Sequence, residues 1–102
     1  MKRVRRKKEQ ILQTLAENSN KIKAFGVTRI GLFGSYARGD ATNLSDLDFI
    51  VEFRKKSFDS YMNLKFFLED LFGCKVDLVI PETIKPRLRP GILKEAIYAP
   101  GL

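Results

Sequence analysis

The chain contains no histidine and no tryptophan, and it has a single cysteine, Cys74. Without histidine there is no Ser-His-Asp or Cys-His catalytic arrangement. A histidine-bearing zinc site is excluded too, and one thiolate cannot make a cysteine-only one. No intramolecular disulfide can form, which fits a reducing compartment. Cys74 lies between Gly73 and an expected strand, so it reads as a small apolar packing group. No apolar run approaches the ~20 residues of a membrane span. The basic N-terminal residues are not followed by the apolar segment of a signal peptide, so the expected location is cytoplasmic. Any catalysis must therefore use carboxylates, hydroxyls, lysines, arginines and bound ions.

The 102 residues suffice for one small domain with one core, expected to span 1–102. The formal charge of +7 is unevenly placed. Lys2, Arg3, Arg5, Arg6, Lys7 and Lys8 carry six of the nineteen basic residues, leaving thirteen against twelve acidic ones. The basic character thus belongs mainly to residues 1–8, which read as a frayed, solvated helix start. Such a cluster could also touch nucleic acid or an acidic partner surface, although no aromatic residues are interleaved with it.

Hydrophobic spacing predicts a helix from Arg5 to Glu17, interrupted by Asn18-Ser19-Asn20. A second short helix, Asn20–Phe25, follows and ends at Gly26; one kinked helix would fit equally well. Val27–Phe33 reads as a first strand, with Gly31 marking a close approach by another backbone or a ligand. Ser35 is the expected N-cap of a short helix to Arg38, and Gly39-Asp40 is a turn signal. Ser45 precedes a second strand, Leu47–Phe53. Phe58–Phe72 has apolar residues at three- and four-residue intervals and is expected to be helical until Gly73. Lys75–Ile80 reads as a third strand.

Strand, helix, strand in this order is a right-handed crossover that sets the second and third strands parallel and adjacent. Pro86 and Pro90 break the chain before a last helix that includes Ile92, Leu93, Ala96 and Ile97. The expected fold class is α/β (α+β): a small mixed sheet of three or four strands with helices packed around it.

Between the first two strands lies the polar stretch Gly34-Ser35 … Asp46-Leu47-Asp48. Asp46 and Asp48 are two residues apart on a strand, so they project from one face. Two adjacent carboxylates call for a cation between them, and a hard ion such as Mg²⁺ suits oxygen donors. The Gly-Ser turn offers backbone N–H groups and a hydroxyl, which suit phosphate. Asp77, on the third strand, is expected on the same sheet face. Each part alone has a bland reading as a turn, a strand cap or a solvated side chain. The combination places three carboxylates on one face beside a Gly-Ser turn.

Gly34-Ser35, ten intervening residues, then Asp46-Leu47-Asp48 resembles the signature of the DNA polymerase beta-like nucleotidyltransferase superfamily. The fuller form, Phe33-Gly34-Ser35-Tyr36-Ala37-Arg38-Gly39 with Ser45-Asp46-Leu47-Asp48, is similar to the minimal nucleotidyltransferases. These are the MntA-type antitoxins encoded beside HEPN-domain toxins. The resemblance implies that Gly34 and Ser35 hold the triphosphate of ATP and that Asp46 and Asp48 coordinate Mg²⁺, with two ions. It implies that Asp77 completes the metal site and helps deprotonate the attacking hydroxyl, and that Arg38 supports the loop or a phosphate. It further implies AMP transfer from ATP to a hydroxyl, a tyrosine in the first instance, of a cognate HEPN ribonuclease toxin held in a hetero-oligomer. Two other readings fit the residues: an antitoxin that blocks its partner sterically, and a nucleic-acid-binding regulator using the basic N-terminus.

Overall fold

The computed structural model describes residues 7–42 and 45–101. Most of the basic N-terminal cluster and the Asn43-Leu44 pair lie outside the described residues. The elements run α1 (Lys8–Glu17), α2 (Ser19–Lys23), β1 (Val27–Phe33), α3 (Ser35–Arg38), β2 (Leu47–Phe53), α4 (Phe58–Phe72), β3 (Val76–Val79), a 3₁₀ turn (Pro81–Thr83), α5 (Arg89–Glu95) and β4 (Ile97–Tyr98). The four strands form one mixed sheet in the order β3-β2-β1-β4. The β2–α4–β3 crossover makes the parallel pair, as expected, while β1 runs antiparallel to both β2 and β4.

The two faces of the sheet do different jobs. Ile30, Leu32, Leu47, Phe49, Val51, Val76 and Leu78 point to one face. There they pack with Ile11 and Leu15 of α1, Ile22 of α2, Tyr36 and Ala37 of α3, and Leu64, Leu68 and Phe72 of α4. A register shift between Val27 and Arg29 inserts an extra residue in β1. That bulge lets Val27 and Ile30, three apart, both reach this core. The alternate positions Asp48, Ile50 and Glu52 of β2 point to the other face.

The second face is partly covered by the C-terminal segment. β4 pairs Tyr98 with Gly31, and a Cβ on Gly31 would lie 3.1 Å from the Tyr98 ring and 3.2 Å from the Ile97 carbonyl. The close approach anticipated at Gly31 is therefore by the chain's own last strand. The Arg29 guanidinium lies over the same ring, 3.7 Å from its centroid, and pairs with Glu52 at 3.3 Å.

Several local expectations are decided or corrected. The first two helices are separate, meeting at Asn18, whose side-chain amide donates to the Thr14 carbonyl and ends α1. Gly34, not Ser35, is the N-cap of α3, with no side-chain cap bond; its φ of 78° is a conformation glycine alone adopts easily. Pro90 does not stop the last helix. It sits in the first turn of α5, where its missing N–H costs nothing. Ile97 belongs to β4 rather than to that helix, because its segment finds the open edge of β1. Among the described residues no helix is long and apolar enough to cross a membrane.

Candidate active site

The sheet register assembles the acidic part of the site. Asp48, second residue of β2, is paired across to Phe33 on β1 and to Asp77 on β3. Its neighbours Leu47 and Phe49 are buried in the core and fix the strand, so the Asp48 side chain must project from the opposite face. Asp77 is exposed on the outer strand, while Asp48 and Asp46 are half-buried. Asp46 stands immediately before β2, where the Leu47 N–H donates to the Lys75 carbonyl at 3.2 Å and ties this entry to the start of β3.

The electrostatics follow from that placement. Burial pushes the Asp48 carboxyl up to about 6, and the facing Asp77 carboxylate, its hydrogen bond and the more distant Asp46 charge add to the shift. Arg38 opposes it only weakly. Asp48 thus faces Asp77 directly, with Asp46 as a further nearby charge. Among the described residues, no three His, Cys, Asp or Glu side chains are gathered tightly enough to form a ready cluster for a metal ion.

The donors nevertheless fit magnesium in kind. They are all carboxylate oxygens, and each is poorly served by the others' like charge. The sites proposed for Mg²⁺ are Asp46, Asp48 and Asp77, with Asp48 and Asp77 already facing one another.

Gly34 closes the site from the β1 side. With ψ at −154° its backbone is in a region open almost only to glycine. A Cβ there would overlap Asp48 Oδ2 and lie 3.0 Å from its Cγ. The carboxylate therefore rests in the space a side chain would occupy. The chain then turns into α3, whose Tyr36 and Ala37 are anchored in the core. That anchoring fixes Ser35 just after Gly34 at the end of β1, and Gly39 ends the helix in a left-handed turn.

Arg38 and Gly34 share a partner that no sequence spacing suggested. Glu95, the last residue of α5, accepts from the Gly34 N–H at 2.8 Å and from Arg38 Nη1 at 2.8 Å through the same Oε1. Arg38 Nε also pairs with Asp40 at 3.3 Å. The Asp40 hydrogen bond first, and the Glu95 carboxylate after it, hold the guanidinium still more firmly protonated. The Gly34 N–H assigned to phosphate is thus directed at a carboxylate of the chain itself. The one available clue was that Glu95 is an isolated acid in a segment with Lys85, Arg87, Arg89 and Lys94.

The nucleotidyltransferase domain model matches residues 8–99. The chain belongs to the nucleotidyltransferase domain family. It is 37% identical over 92 residues to the protein adenylyltransferase MntA of Thermococcus cleftensis, covering 88% of this chain and 93% of that one. Among solved structures, one described as a minimal nucleotidyltransferase is 38% identical, with a TM-score of 0.69, covering 84% of this chain and 93% of that one. The MNT antitoxin–HEPN toxin complex of Shewanella oneidensis also matches, at 20% identity and a TM-score of 0.62, covering 89% of this chain and 73% of that one. At that identity the likeness is one of fold. The nucleotidyltransferase fold expected from the motif is the fold observed.

Proposed function

We propose that this nucleotidyltransferase-family protein is a protein adenylyltransferase antitoxin, which moves AMP from ATP onto a hydroxyl of a HEPN-type ribonuclease toxin. The observation that carries the proposal is the Asp48–Asp77 pair, with Asp48 seated against Gly34. The name of the Thermococcus relative and the HEPN complexes of the same fold support the choice of acceptor.

The residues divide the work. Ser35, at the start of α3, offers its hydroxyl and the N–H groups of the first turn to the triphosphate. Arg38, at the end of that turn, adds positive charge at the same corner. Asp46, Asp48 and Asp77 hold Mg²⁺, as two ions. When bound there, magnesium neutralises the phosphates and the departing pyrophosphate. Asp77, the exposed member, faces solvent and accepts the proton of the incoming hydroxyl.

The hydroxyl oxygen forms a bond to the α-phosphorus, the bond from that phosphorus to the α–β bridging oxygen breaks, and pyrophosphate leaves with the electron pair. Positioning and charge carry such a step, which needs no histidine or thiol.

The test is incubation of the chain with a HEPN-domain partner, Mg²⁺ and ATP labelled in its α-phosphate. Label on the partner, with loss of its ribonuclease activity, supports the proposal. A partner that is bound and silenced without label replaces it with steric blocking.

A further inference from the structure

Glu95 lies 57 residues from Arg38 and 61 from Gly34, yet one of its oxygens receives a hydrogen bond from each. Its side chain is about one-quarter exposed, so water competes only partly for these bonds. Both are charge-assisted and short, roughly twice as strong as neutral ones. The carboxylate sits at the end of α5, and the next residues run directly into β4, which pairs with β1 next to Gly34. The Ala99 N–H then donates to the Ile30 carbonyl at 2.9 Å. Glu95 is therefore delivered to the Gly-Ser corner by a strand that is itself locked to the strand carrying that corner.

We infer that Glu95 is a positioning residue for the nucleotide site, fixing Gly34 through its N–H and holding Arg38 at the mouth as a phosphate-facing cation. The inference rests on the nucleotidyl-transfer reading above for its ligand, but not for its geometry. Gly34 is clamped from two sides: Asp48 fills the space above its α-carbon, and Glu95 takes its N–H. A loop residue without a side chain gains its fixed orientation from these two acids. Arg38 is about half exposed, and among the described residues its other side-chain anchor is Asp40, a more exposed carboxylate. Glu95 is the better-buried partner that stops the guanidinium from swinging into solvent. Its negative charge is balanced by Arg38, so the triphosphate meets an arginine already aimed and a glycine already turned.

The opposite possibility is that Glu95 stands in for a phosphate and must leave before nucleotide enters. The two ideas give opposite signs. The experiment compares the full chain with Glu95→Gln, Glu95→Ala and Glu95→Asp, measuring ATP affinity in Mg²⁺, KM and kcat for transfer, and the amide exchange rate of Gly34.

Positioning predicts that Glu95→Gln, which keeps an acceptor for the Gly34 N–H but loses the charge, raises KM for ATP roughly tenfold, the scale of one charge-assisted hydrogen bond, with kcat nearly held. Glu95→Ala should lower kcat as well and speed Gly34 exchange, and Glu95→Asp should restore part of both. ATP binding more tightly to Glu95→Gln than to the parent overturns the inference. So does unchanged Gly34 exchange in Glu95→Ala, which can be read whether or not ATP binds. A parent chain that binds no ATP sinks the nucleotidyl-transfer reading instead, and the exchange rates still decide the clamp.

Discussion

Asp48 lies over the α-carbon of Gly34, its carboxylate occupying the place where any other residue would carry a side chain. Gly34 directly follows β1, whose last residue Phe33 is the partner of Asp48 in the antiparallel β1–β2 ladder. The contact explains why the motif needs glycine there twice over, for its backbone angles and for its emptiness.

Gly34→Ala tests that relationship. The backbone penalty alone is about 1–3 kcal/mol, and the methyl group must also displace the carboxylate. The variant should melt several degrees lower and lose transfer activity by far more than its stability change accounts for. A thermal denaturation curve and a rate on the same preparation check this; a variant with parental rate contradicts it.

The burial of Asp48, with Asp77 facing it, has a pH signature. The Asp48 carboxyl is raised to about 6 in the folded chain from an ordinary 3.8. The folded state therefore binds this proton more tightly than the unfolded state. Its contribution to stability is complete below about pH 4 and is lost as pH rises through about 6. Without divalent cations the parent should lose stability across that window. Asp48→Asn should not, so the variant becomes the more stable of the two at pH 7. Melting temperatures from pH 4 to 7.5 in chelator give the answer, and parallel curves for the two proteins would rule the raised Asp48 carboxyl out. Adding Mg²⁺ at pH 7 should raise the melting temperature of the parent and leave the variant nearly unmoved.

The docking of the C-terminal strand is testable at Gly31. A Cβ there meets the Tyr98 ring at 3.1 Å, which the ring must yield to. Gly31→Val should cost about 1–3 kcal/mol by overpacking and loosen β4, and with it Glu95. The expected outcome is a higher KM for ATP together with faster exchange of the Ala99 amide. Unaltered exchange would mean that β4 does not depend on the gap at Gly31.

Much of this was legible in the chain because the informative signals were local. The spacing of Leu64, Leu68 and Phe72 announced α4, the alternation Val76-Asp77-Leu78 set the face of Asp77, and the crossover rule placed β3 beside β2. The parts that escaped depend on contacts distant in sequence. Two residues of β4 carry no periodicity, and only the unpaired edge of β1 makes them a strand. Pro90 looked like a stop because its place within the helix was unknown. Glu95 had no signal of its own, since its partners are set by β4 pairing rather than by spacing. Ser35 was read as a cap because its residue type favours caps; the sharp turn into α3 instead requires the glycine before it.

The most direct measurement is the intact mass of a HEPN-domain partner after incubation with this chain, ATP and Mg²⁺. One or more added AMP groups are expected with the parent. None is expected with the Asp46→Asn, Asp48→Asn double variant, although that variant should still fold and still bind the partner. A partner that gains no mass while being fully silenced, or that is modified equally well by the double variant, would contradict the account.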